Sequence, residues 1–382
     1  MKNLSKIVEE IPESFSIKFN MAVNDLRCQG KDIIVLSLGG DFLKIPMYPL
    51  KDIDFETGCH YSSSLGLPEL RKKISQYYYR KYNVSSDYKT EVLISAGSKV
   101  IIYMTLLSLL NPLDEVIIFE PAWVSYMRQV QLCNGIPVMI PHYEGIKDLK
   151  KYITRKTKVI IVNSPNNPSG KVCSKAELKE LFNFAKKQGI YIISDEAYSD
   201  FVSKEPFISM GVIDKKKELT FIVNSLSKSL GICGWRIGYV IANHKHLKSI
   251  FKINQHLITC PTTLIELYLI KYFDKLVKIV EPQIKKVMRT RGVIAKYMDK
   301  IELKYFPGTG TFYFLVSIED SKLGSKEFSL ELLNKYGIST VPGVGCGMSV
   351  KKFLRISICA ESITRIKKAL VVIHQLINKT KT

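Results

Sequence analysis

From about residue 90 the chain alternates short apolar runs with amphipathic stretches. "EVLISAG" (91–97) reads as a strand, and "SKVIIYMTLLSLL" (98–110) as a buried helix. "EVIIFEP", "IPVMIPH", "KVIIVNSP", "YIISDEAY", "TFIVNS" and "GYVIAN" follow as further strands. Between them "WVSYMRQVQLCN" and "SKAELKELFNFAKKQG" have helical periodicity. Ser174 and Glu177 have capping-box spacing, and Gly189 ends that helix. Strands apolar on both faces, alternating with helices, predict an α/β fold: a mostly parallel sheet sandwiched by helices.

After Pro282 the texture changes. A long helical pattern runs to about Lys300. Then come strands "IELKYF" and "TFYFLVSI", helix "KEFSLELLNKYG", strand "FLRISICA" and the amphipathic "ITRIKKALVVIHQLINK". The pattern predicts a large domain over 45–281 and a smaller α+β domain over 282–382. Residues 1–44 have no partners of their own and are expected to pack with the small domain.

Composition narrows the class. With 382 residues, 46% hydrophobic and 24% charged, the chain is a globular protein rather than a disordered one. The longest apolar run, "IIYMTLLSLL" (101–110), is too short to cross a bilayer. The N-terminus turns acidic where a signal peptide would turn apolar, so a cytoplasmic protein is expected. Eight scattered cysteines without a C-x-x-C pair read as reduced thiols. His244-Lys245-His246 reads as an exposed loop, and two ligands without a third make no metal site.

The net charge of +21 raises nucleic acid or a membrane surface as partners, but the basic residues are spread in short doublets with no long arm. Neither partner is expected. Only ten of the 56 basic residues are arginine. Where this chain uses arginine, the planar five-donor fork is the reason to look.

Six places carry candidate chemistry. In "SLSKSLGICGWRIGY" (225–239), Lys228 ends a strand and is followed by small residues. In a pocket it would lose hydration and become a nucleophilic amine; a solvated loop lysine is the alternative. Ser225, Ser227 and Arg236 can hold a phosphate beside it. An imine-forming lysine with a phosphate cradle is what pyridoxal phosphate requires. In "IISDEAY", Asp195 sits at a strand's carboxyl end, where it could face a pyridine nitrogen or simply cap a helix, and Tyr198 follows.

Asn167 in "NSPNNPSG" (163–170) would present its amide at the sheet edge, unless the segment is a plain loop. Gly97 and Ser98 fall at a strand-to-helix junction, a ready anion site. Trp123 could stack on a planar cofactor or fill the core. Arg355 lies inside an apolar strand and needs either a substrate carboxylate or an internal acid.

In this order and spacing, the chain resembles the fold-type I pyridoxal-phosphate-dependent aminotransferases of class I/II over nearly its whole length. "RCQGKDIIVLSLGGDF", "YSSSLGLPELR" (61–71), "NNPSG" and "SLSK…GWRIGY" carry the resemblance. It implies a two-fold homodimer with composite sites and amino transfer between an α-amino acid and a 2-oxo acid. Lys228 would form the Schiff base and shuttle the Cα proton. Asp195 would pair with the pyridine nitrogen, and Tyr198 and Asn167 with the ring hydroxyl oxygen. Gly97, Ser98, Lys99, Ser225, Ser227 and Arg236 would surround the phosphate, and Trp123 would stack on the ring. Arg355 would bind the substrate carboxylate, helped by Asn167 and the backbone of Gly39. Tyr61 would reach the phosphate of the neighbouring subunit.

The family's Gly-Glu-Pro-Asp-Phe is one residue shorter here, "GGDF" (39–42), which bears on substrate preference. In some acidic-substrate relatives a lysine at the place of Lys99 meets the distal carboxylate; a helix-start lysine facing solvent is the other reading. The shared motifs also suit a lyase or cyclase on the same scaffold. A ligand-sensing regulator would need an attached DNA-binding module. A nicotinamide dehydrogenase ranks lower still, because "GTG" and "GVGCG" (343–347) do not sit between a first strand and a helix.

Overall fold

A computed structural model describes residues 5–13, 15–40, 43–203 and 205–381. Asp41 and Phe42 of the shortened loop lie outside them. The helices that matter here are α1 (Phe15–Cys28), α2 (Pro68–Tyr82), α3 (Ser98–Leu109), α4 (Ser125–Leu132), α5 (Lys175–Gln188), α6 (His244–Leu257), α7 (Thr263–Lys300), α8 (Ser325–Tyr336) and α9 (Ile363–Lys379).

A seven-stranded sheet is formed by β1 (Val92–Ser95), β2 (Glu115–Phe119), β3 (Ile136–Ile140), β4 (Thr157–Asn163), β5 (Tyr191–Asp195), β6 (Thr220–Ser225) and β7 (Gly238–Ile241). Its order is β1-β7-β6-β5-β4-β2-β3. Only β7 runs antiparallel, against both β1 and β6. Strands β1, β6 and β7 are buried throughout, as expected of a sheet covered on both faces. α5 has the predicted capping box: Glu177 N donates to Ser174 Oγ at 3.2 Å, and Ser174 N donates back to the Glu177 carboxylate at 2.8 Å. Gly189 closes that helix in the left-handed region at φ 67.

A second sheet joins β8 (Tyr313–Ser317), β9 (Val341–Pro342) and β10 (Phe353–Ser357) in the antiparallel order β9-β10-β8. Helices α8 and α9 belong to this half of the chain. The N-terminal stretch lies here too: Ile34–Val35 pairs in parallel with Ile338–Ser339, and Phe19, Val23 and Val35 pack with Leu333.

Three local expectations differ from the structure. α7 runs unbroken through Pro282. The lost backbone bond is offset by an i, i+4 stripe of buried side chains on both sides of it: Leu276, Val280, Ile284 and Met288. "IELKYF" forms no strand; after a turn at Glu302 (φ 56), only Tyr305 makes an isolated bridge, to Val316. His244-Lys245-His246 is the first turn of α6, not a loop, capped by Asn243. His246 bonds the Glu218 carbonyl at 2.8 Å and its ring lies against Tyr191 and Phe221.

Candidate active site

The carboxyl ends of β4, β5 and β6 deliver Asn163, Asp195 and Ser225 to one cavity of about 460 Å³. In a parallel sheet this is the edge where ligands bind, because the loops leaving the strands diverge there. Gly39, Ser98, Lys99, Trp123, Asn167, Asp195, Tyr198, Ser225, Ser227, Lys228, Arg236 and Arg355 all line it. Tyr61 does not: it is 86% exposed on the outer surface.

One end of the cavity is shaped for an anion. Gly97 (φ 93) precedes α3, and Arg236 folds over it in the left-handed region. A Cβ on Gly97 would lie 2.3 Å from Arg236 Nη2, so any side chain would displace the guanidinium. A Cβ on Gly238 would lie 2.3 Å from Ser98 N, so β7 can approach the start of α3 only as glycine. Ser225 Oγ caps the turn that carries Lys228 by accepting from Ser227 N at 3.1 Å. Ser227 Oγ is buried with no hydrogen-bond partner. An orphaned hydroxyl beside an arginine and a helix N-terminus fits a phosphate.

In the middle, Asp195 is 5% exposed. It accepts from Tyr126 Oη at 2.5 Å and from Ala197 N at 3.1 Å. Burial pushes its carboxyl above the usual range, and these two bonds pull it back. A buried carboxylate in this state gains most from a cation placed against it. Tyr198 Oη is 3.4 Å from Asn167 Nδ2 and 3.3 Å from Tyr313 Oη; burial holds its phenol well above the usual range. Asn167 is positioned by its own N–H, which donates to Asn163 Oδ1 at 2.8 Å.

Lys228 projects from the turn Leu226–Ser229, and its Nζ donates to the Gly39 carbonyl at 2.5 Å. Lys99 is exposed and lines the cavity beside Trp123. Its Nζ lies 5.1 Å from the centre of the Trp123 ring, and desolvation with the nearby Arg236 lowers its pKa. Arg355 on β10 is 4% exposed. It donates to the Ser37 carbonyl at 2.9 Å and lies 4.7 Å from the Tyr313 ring centre. Its Nε is buried with no partner, and among the described residues no acid pairs with it. Of the two partners expected for this arginine, the internal acid is therefore absent from the described residues.

Sequence reasoning missed Tyr126, Asn163, Tyr313, Asn20 and Cys233, which line the same cavity. Tyr126 stands three residues after Trp123 and Asn163 opens the segment 163–170, so proximity to named motifs was the available signal. Tyr313 and Asn20 come from distant segments and carried none.

A lysine, an anion cradle and a buried carboxylate thus meet at a parallel sheet's carboxyl edge. The family model for aminotransferase class I and II matches residues 17–373, and the chain belongs to that family. It is 33% identical to an aspartate aminotransferase of Pyrococcus abyssi, over 91% of this chain and 94% of that one. Its fold matches the aspartate aminotransferase of Thermus thermophilus with maleate at TM-score 0.90, 26% identity, 98% of this chain and all of the other. An aromatic aminotransferase from Pyrococcus horikoshii matches at TM-score 0.85, 30% identity, 94% and 99% coverage. The chain is an aminotransferase with the fold that its strand pattern predicted.

Proposed function

We propose that the chain binds pyridoxal 5′-phosphate at Lys228 and moves an amino group between an α-amino acid and a 2-oxo acid. One observation carries this reading: Arg355, buried with no acid partner among the described residues and with a spare Nε, opens on the same cavity as Lys228. A group that fixes a carboxylate and a group that bonds a carbonyl carbon share one chamber.

The residues fit the cofactor. Ser227 Oγ, Ser225, Arg236 and the backbone of Gly97, Ser98 and Lys99 would hold its phosphate. Asp195 would keep the ring nitrogen protonated, Asn167 and Tyr198 would bond the ring oxygen, and Trp123 would cover the ring. When bound, the cofactor supplies an electron sink for charge developing at the substrate Cα. The protein supplies the rest. Arg355 orients the substrate carboxylate, helped by Asn167 and Gly39. Lys228 would hold the cofactor at rest and, with its amine free, would move the proton at the substrate Cα.

Two further parts belong to the same proposal. Tyr61 would complete the phosphate site of a second copy in a homodimer, which its exposure and its place outside its own cavity support. Cytoplasmic residence is supported by eight cysteines scattered along the chain without a C-x-x-C pair. Among the described residues no helix is long and apolar enough to cross a membrane.

Borohydride reduction of the holoenzyme, followed by peptide mass mapping, should find the cofactor fixed to Lys228. Lys228→Ala should lose that adduct and multiple turnover together. A Lys228→Ala protein that still turned over repeatedly would sink the reading.

A further inference from the structure

Cys233 stands beside Lys228, and none of the roles above uses it. Its Sγ is 3.4 Å from Lys228 Nζ and 3.0 Å from the Ser227 carbonyl oxygen. The turn Leu226–Ser229 and the short helix Cys233–Trp235 fold back on each other and bring the two side chains together. Of the eight cysteines, Cys233 alone lines the active-site cavity, so it is reached by whatever reaches Lys228. Cys133 and Cys346 are buried, and burial pushes their thiols up to about 12 and about 11, which suppresses the reactive thiolate.

We propose that Cys233 and Lys228 form an oxidative cross-linking site, in which a hydroperoxide joins sulfur to nitrogen whenever Lys228 is not bound to the cofactor. This rests on the reading of Lys228 as the cofactor lysine. The chemistry balances in two steps. The thiol takes an oxygen from the peroxide: the O–O bond breaks, the peroxide leaves as water or an alcohol, and sulfur, oxidised by two electrons, becomes a sulfenic acid. The Lys228 nitrogen then attacks that sulfur. The S–N bond forms, the S–O bond breaks, and hydroxide departs as water with a proton from nitrogen.

The net change is a thiol, an amine and a hydrogen peroxide giving a sulfenamide and two waters. Two equivalents of an added thiol reverse it, returning cysteine and lysine and forming one disulfide. The separation of 3.4 Å between the two atoms means that no backbone segment has to move far for the bond to form. The link removes the amine that the transfer needs. Oxidation therefore stops the enzyme in the half of its cycle in which the amine is released, and a reductant restarts it.

The test loads the protein with pyridoxal phosphate or with pyridoxamine phosphate and exposes both to hydrogen peroxide. Intact mass and peptide maps are recorded without reductant. The pyridoxamine-loaded protein should lose the mass of two hydrogens, show the Cys233 and Lys228 peptides joined, and lose activity at least about tenfold, with recovery in dithiothreitol. The pyridoxal-loaded protein should show little of the joined peptide, and Cys233→Ser should show none in either form. Oxygen atoms added to Cys233 with no joined peptide would overturn the proposal, and this map needs only the unsubstituted chain. Equal linking in both loaded forms would also overturn it, provided that borohydride fixes the cofactor to Lys228. If borohydride fixes none there, it is the cofactor reading that fails; the link should then form regardless of loading, and its absence would overturn the cross-link as well.

Discussion

Two buried arginines lie on opposite faces of β8, and they differ in how their donors are spent. Arg291 on α7 is 2% exposed and Arg355 on β10 is 4% exposed. Among the described residues neither has an ion pair. Arg291 donates to the Tyr313 carbonyl and, at 2.7 Å, to the Gly308 carbonyl, with its guanidinium 3.9 Å from the Phe314 ring centre. Arg355 covers the ring of Tyr313, whose side chain points to the other face. Its Nε has no partner and its cavity is open to solvent. Burial lowers the pKa of Arg291 to about 10, a cost that its backbone bonds offset. The difference separates a residue whose donors are spent on the fold from one whose Nε is left over for the proposed substrate carboxylate. An uncompensated buried donor is tolerated where a substrate carboxylate arrives to satisfy it.

The largest expected effect falls on Arg355. Arg355→Met should lower kcat/KM for an amino acid substrate by about 2–5 kcal/mol, or roughly thirty- to several-thousand-fold. Stability should fall less than with Arg291→Met, because loss of the single bond to the Ser37 carbonyl is set against removal of an unpaired buried charge. Steady-state kinetics and urea unfolding on the same preparation check both halves. A fall of less than about fivefold would end the carboxylate assignment.

Arg291→Met should do the reverse. It strands two carbonyls, so stability should drop by about 2–5 kcal/mol, while kcat/KM per folded molecule changes less than with Arg355→Met. Equal stability of Arg291→Met and the unsubstituted protein would break the comparison.

The sequence made one half of this site much more legible than the other. The proposed cofactor half lies at strand ends of a single sheet, where each motif is local. "SLSK", "SDEAY", "NNPSG" and "SAGSK" could be read one at a time, and the sheet then brings them together. The proposed substrate half joins segments far apart: Arg355 meets the Ser37 carbonyl across 318 positions, and β10 meets β8 through the small sheet. An arginine in an apolar strand signalled a need for a partner, but which partner was a question of three-dimensional packing. Tyr126 reaches Asp195 across 69 positions, a contact no local pattern encodes. The same limit applies to Pro282. Local propensity says break, and a stripe of tertiary burial overrides it.

Glu266, also on α7, carries the comparison over to an acid. It is fully buried, and like Arg291 it is spent on the fold: it accepts from Leu67 N at 2.8 Å and from Ser62 Oγ at 3.0 Å. Burial raises its pKa from 4.5 to about 7, with Arg71 and the two hydrogen bonds opposing. The folded state therefore holds this proton more tightly than the unfolded chain does. Its contribution to stability is complete below about pH 4.5 and is lost as pH rises through about 7. Glu266→Gln keeps an acceptor oxygen for Leu67 N and removes the titration. Near pH 5 the variant should unfold at nearly the same urea concentration as the parent. By pH 8 it should be more stable by on the order of 1–3 kcal/mol. Glu196 titrates in the same window, also raised by burial to about 7, so the quantity to follow is the difference between the two proteins at each pH. A difference that stays flat between pH 5 and 8 would mean that Glu266 does not carry its proton in the fold, and that a fully bonded buried acid costs this protein less than its burial implies.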